Sequence, residues 1–249
     1  MVETTVRRSN AARLRAVGGR LSSAAVIGFT TGLIVGGLGG RLAMLALRLT
    51  SDASLRGLET DDGFTIGVIS GDTLFLLGLT AFLGVLGAVF YVAIRPWLPP
   101  GVRPWAFAVV AGAIGGAIVI KPDGIDFTVL DPLWLAVAMF VALPAAYGYV
   151  VAILVERSFR RPVDKRWRGL IGLVLVLPVL PFPLTLGLRS PVDIGILIVA
   201  ILVLVLFARG RGIASTWTSP PASWIGRLGL GTVTVLATVG LIRDAAAIL

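Results

Sequence analysis

The sequence predicts an all-α polytopic membrane protein, a bundle of seven transmembrane helices with the N-terminus cytoplasmic and the C-terminus outside. Three observations predict it. The 249 residues are 57% hydrophobic and only 14% charged, with a mean hydropathy of +0.96. A soluble domain carries about 25% charged residues, and a membrane span uses roughly 20 apolar ones, so the apolar stock suffices for about seven spans. The other two observations are the sidedness of the charges and the placement of the tryptophans.

Hydropathy places the spans at about 21–47, 73–94, 105–120, 133–155, 169–188, 192–208 and 224–242. Residues 1–20 then form a basic cytoplasmic segment and residues 21–249 the seven-helix domain. The first span follows Arg7, Arg8, Arg13, Arg15 and Arg20 and superficially resembles a signal peptide. Its apolar run is too long for one and no small-x-small cleavage site follows it, which predicts a retained signal anchor. The third and sixth spans are short for a crossing. The fifth contains Pro178, Pro181 and Pro183, which remove backbone donors and predict a bend.

With the N-terminus inside, the inner segments hold sixteen basic residues against Glu3, Glu156 and Asp164. The outer segments hold five basic residues (Arg48, Arg56, Lys121, Arg189 and Arg243) against ten acidic ones. An excess of Lys and Arg marks the cytoplasmic loops, and an even number of spans would scramble the separation. Trp97, Trp105, Trp134, Trp167, Trp217 and Trp224 all fall near predicted span ends, where a half-solvated indole is most stable. The net charge of +9 therefore reads as membrane sidedness, and nucleic acid is not an expected partner.

Two hairpins look alike. Gly36-Gly37-Leu38-Gly39-Gly40, then Asp61-Asp62-Gly63-Phe64, then Tyr91 to Arg95 parallels Gly112 to Gly116, then Pro122 to Phe127, then Tyr149 to Arg157. The likeness points to a parallel repeat of spans 1–2 and 3–4, although Gly-rich helices and Asp-Gly turns also recur without common ancestry. Gly32, Gly36 and Gly40 sit four apart, as do Gly112 and Gly116, while Gly84 and Gly87 are three apart. Small residues let helices approach closely in lipid, so these glycines are read as packing positions, with a dimer face as the alternative.

Chemistry is less legible. With no Cys and no His, the chain excludes thiolate nucleophiles, His-based triads, cysteine zinc sites and His-ligated haem. The last span lacks a lysine for a retinal Schiff base. Asp72 and Asp193 stand only at span starts, unlike the paired aspartates of an intramembrane protease. Asp61-Asp62-Gly63 is too short a run for a CDP-alcohol phosphatidyltransferase, and no Walker or Rossmann motif occurs in its proper context. No catalytic residue, metal ligand or cofactor is expected. Arg41 is the one charged residue well inside a span, close enough to the outer face to snorkel there, with Arg48 seven residues on. Arg41, Arg48, Asp61, Asp62, Asp123 and Asp126 are the candidate cluster, read as a brace between loop and helix or as an outward vestibule for a cation or a lipid phosphate.

On Pro122-Asp123-Gly124-Ile125-Asp126-Phe127 and Phe140-Val141-Ala142-Leu143-Pro144-Ala145, the chain resembles multi-pass membrane proteins of actinobacterial type. That resemblance implies no activity, cofactor or substrate. The leading expectation is a non-enzymatic component of the cytoplasmic membrane, either an accessory or assembly subunit or a handler of lipid or small solutes. Its expected partners are membrane lipids and another membrane protein or a second copy. A transporter or channel for a small or hydrophobic substrate is the first alternative, and a lipid-active enzyme using the outer aspartates is the second.

Overall fold

The computed structural model describes residues 19–51, 71–122, 124, 131–160 and 219–249. Those residues form helices and connecting turns, with no strand among them. Among the described residues, five helices are long and apolar enough to cross a membrane: α1 (Gly19–Thr50), α2 (Gly71–Ile94), α3 (Arg103–Val119), α4 (Leu133–Phe159) and α5 (Pro220–Ile248). They match the expected spans 21–47, 73–94, 105–120, 133–155 and 224–242. The expected spans at 169–188 and 192–208, with their prolines, lie outside the described residues, as does the N-terminal segment to residue 18.

Local signals explain the helix ends. Pro99 and Pro100 lead through a 3₁₀ turn (Pro100–Val102) into α3, whose second residue is Pro104, and α5 opens on Pro220-Pro221. Proline suits the first turn because its missing N–H would have no helical partner there. Inside the helices, the hydroxyls of Thr30, Thr80, Thr234 and Thr238 donate to the carbonyl four residues back, so each polar group is satisfied by its own helix. The middle of α1 departs from α-geometry. Gly32–Leu38 is π-helical and three of its seven residues are glycine, which favours no single helical form.

The packing rests on backbone-close crossings. Gly28 and Gly32 of α1 lie against Gly84 and the Thr80 carbonyl of α2 so closely that a Cβ on either helix would run into backbone. Gly36 continues the contact, with a Cβ position 3.2 Å from Thr80 Cβ. A Cβ at Gly40, in contrast, would find nothing within 4 Å. Helices packed at an interaxial angle diverge away from their point of closest approach, and Gly40 lies past the crossing. On α3, Gly112 faces Ala145 of α4 and Gly116 faces both Val141 of α4 and Leu241 of α5. Gly115 opposes the ring of Pro144, the proline inside α4, and so leaves room for it.

Two groups of buried side chains lie at opposite ends, and Ala25 and Val85 form a third between α1 and α2. Tyr91, Ile94, Leu98, Phe107, Val110, Val151 and Val155 form the larger core where α2 ends and α3 begins. Leu47, Ile120 and Ala136 form a smaller one at the opposite end. The outside is apolar. Ile34, Leu38, Leu42, Leu45 and Leu49 make an exposed stripe along α1, and Ile225, Leu228, Val235, Leu236, Val239 and Ile242 are exposed along α5.

Candidate functional site

Most polar contacts between helices of the described bundle lie at its two ends. At one end, Tyr91 and Arg95 from the close of α2 meet Glu156 from the last turn of α4 and Arg103 from the start of α3. Glu156 accepts from Arg95 through both oxygens: Nε donates to Oε1 and Nη2 to Oε2 at 2.9 Å. The Tyr91 hydroxyl donates to Oε1 at 2.8 Å, and Arg103 Nη1 stands 3.6 Å from the same atom. The pair is partly screened from water, with Glu156 and Arg95 side chains 16% and 30% exposed. A two-pronged guanidinium–carboxylate pair is strong and directional. Its hydrogen bond to Glu156 raises the pKa of Arg95, which lies just beyond the α2 span.

Aromatic rings frame this end. Tyr91 packs on Phe107 with ring centroids 4.9 Å apart. The Phe159 ring has two cationic neighbours, with the guanidinium carbons of Arg95 and Arg20 at 5.4 and 5.6 Å from its centroid. The helix α5 is tied in by Gly226, which lies against the indole of Trp97, and by Arg227, whose Nε donates to the Trp97 carbonyl at 3.0 Å. Halfway along, the Tyr147 hydroxyl of α4 donates to the Gly84 carbonyl of α2 and sits against Gly87.

The opposite end is stitched by backbone. Thr50 and Ser51 hydroxyls donate to the Asp131 carbonyl at 2.8 and 3.0 Å, and Asp131 N–H donates to Ser51 Oγ at 2.8 Å. These bonds hold the end of α1 to the start of α4 without using the Asp131 carboxylate. Gly124 N–H donates to the Lys121 carbonyl at 3.0 Å, and Gly124 is buried.

The expected cluster is divided by what is described. Arg41 and Arg48 are half-buried on the later part of α1, Arg48 in the last turn, where a cation complements the helix dipole. Asp61, Asp62, Asp123 and Asp126 lie outside the described residues. Among the described residues, no three His, Cys, Asp or Glu side chains come together as metal ligands.

Sequence reasoning counted Arg95, Arg103 and Glu156 only as loop charges and missed their meeting. The signal was present. Glu156 and Arg95 each stand one residue past an expected span end, on the same side by parity. A carboxylate emerging from lipid next to cations is costly unless it pairs with one. Comparison with known families, characterised proteins and solved structures finds no match to this chain.

Proposed function

We propose that this chain is an integral protein of the cytoplasmic membrane that acts as a non-enzymatic component, an accessory or assembly subunit or a handler of lipid or small solutes. The observation that carries this reading is the Glu156 cluster. Its one carboxylate is fully engaged by Arg95 and Tyr91, so it locks α2 to α4 and is not held ready as a base. The apolar exterior supports a lipid setting, because soluble monomers rarely expose stripes like those on α1 and α5.

Seven spans with the N-terminus inside belong to the same proposal. It requires α4 to end, and α5 to begin, on the cytoplasmic side. Phe159 and Trp97, the neighbour of Gly226 and Arg227, pack against one and the same buried group, which supports that requirement. Pairing of Arg41 or Arg48 with one of Asp61, Asp62, Asp123 and Asp126 is proposed for the outer side, together with the common origin of the two hairpins.

Purification of the full chain in mild detergent tests the functional reading. A stoichiometric membrane-protein partner is the expected result for a subunit, and co-purified lipid or solute for a handler. Turnover of a lipid substrate that is lost in D61N or D123N would overturn it in favour of an enzyme.

A further inference from the structure

Two guanidinium groups, those of Arg95 and Arg103, meet one carboxylate at the Glu156 end. That carboxylate is already filled: both of its oxygens accept from Arg95, and one also accepts from Tyr91. Arg103 is left short. Its Nη1 lies 3.6 Å from Oε1, beyond a good hydrogen bond, and its Nε is buried with no hydrogen-bond partner. With the Arg103 side chain only 16% exposed, water reaches it poorly. Arg20 adds a third cation beside the Phe159 ring that it shares with Arg95. A buried donor without an acceptor is unfavourable, and cations gathered beside a single carboxylate repel one another.

An anion with several acceptor oxygens would relieve both. Guanidinium forks match phosphate oxygens, and basic pockets between helices on the cytoplasmic side of a membrane suit acidic headgroups. We propose that this end of the bundle binds a phosphate anion, carried on an acidic phospholipid or free in solution. Arg103 and Arg20 are its ligands, and the Arg95–Glu156–Tyr91 lock fixes Arg103 in place. The inference rests on the membrane reading above only in setting this end at a bilayer surface.

The test is thermal unfolding of the full chain in detergent with added phosphatidylglycerol, phosphatidylcholine or inorganic phosphate. A ligand that binds only the folded state raises its melting temperature. Phosphatidylglycerol is expected to raise it by at least about 3 °C, and phosphatidylcholine to leave it unchanged. R103K keeps the charge but loses the fork, and R20Q removes an exposed ligand; each should lose most of the rise. R157Q and R160Q remove the same charge from exposed positions at this end and should keep it. Should R103K fail to fold, R20Q against R157Q carries the comparison. A rise with inorganic phosphate as well assigns a free-phosphate site, and a rise with the lipid alone assigns a headgroup site. No rise with either, or equal loss in R20Q and R157Q, would overturn the proposal. Labelling of a cysteine at Ser158 from outside the cell would instead overturn the membrane sidedness, and it can be read whatever the lipid result.

Discussion

Glu156 is the side chain on which Tyr91, Arg95 and Arg103 converge. Removing its charge leaves Arg95 and Arg103 facing each other with no counter-ion, whereas removing Arg95 leaves the carboxylate with Arg103 and Tyr91. E156Q is therefore expected to cost on the order of 3 kcal/mol. R95Q should cost less, and Y91F only about 1 kcal/mol for one hydrogen bond. Thermal or denaturant unfolding of the three variants in one detergent checks the order, and R95Q at least as unstable as E156Q would contradict it. At the other end, S51A removes a hydroxyl that both donates to and accepts from the Asp131 backbone. Its loss is expected to cost about 1 kcal/mol and to speed proteolysis between α1 and α4 before it affects the Glu156 end.

Each helix pair is set by where side chains are missing. At the α1–α2 crossing the obstacle to a larger residue is backbone on both sides, at Gly28, Gly32 and Gly84, and backbone cannot rotate away. G84V is expected to cost at least the roughly 1–3 kcal/mol of an overpacked core and to lower the yield of folded protein. G40A, with nothing within 4 Å, should be neutral or slightly stabilising because alanine is the better helix former. Size-exclusion profiles and melting temperatures of the two variants decide the matter, and equal behaviour would place the crossing elsewhere. The stripe of glycines spaced four apart was legible in the residues. The point along it where the helices part was not, because that depends on the crossing angle and on the partner helix.

For the molecule as a whole, the charge pattern makes a prediction about sidedness. Cysteines placed at Ser54 and Thr128 are expected to react with an impermeant maleimide in intact cells, and those at Ser9, Ser158 and Ser215 only after lysis. Ser158 is the informative position, since it lies in the last turn of α4 beside Glu156 and Phe159. Its labelling from outside would reverse the orientation and put the Arg20–Arg95–Arg103 end on the wrong face for cytoplasmic lipid.

Apolar run length alone located the five described helices to within a few residues, because a helix must cross a fixed hydrocarbon thickness and satisfy its backbone internally. Charge counting by parity rests on the same local information and set the expected sides. Neither could say which charges meet. Arg95 and Glu156 are 61 residues apart, and Thr50 and Asp131 are 81 apart. Their contacts exist only because α1, α2 and α4 are drawn together by glycine crossings and by the Tyr147–Gly84 hydrogen bond. The attention that hydropathy directs to a charge inside a span, Arg41, passed over the span ends. There burial is partial, and the packing of neighbouring helices decides whether a charge is solvated or locked. Composition settles that a chain of this kind is a bundle of apolar helices, because the solvent preference of each segment is a local property. Which side chains form its polar centres is a long-range property, and only the tertiary structure decides it.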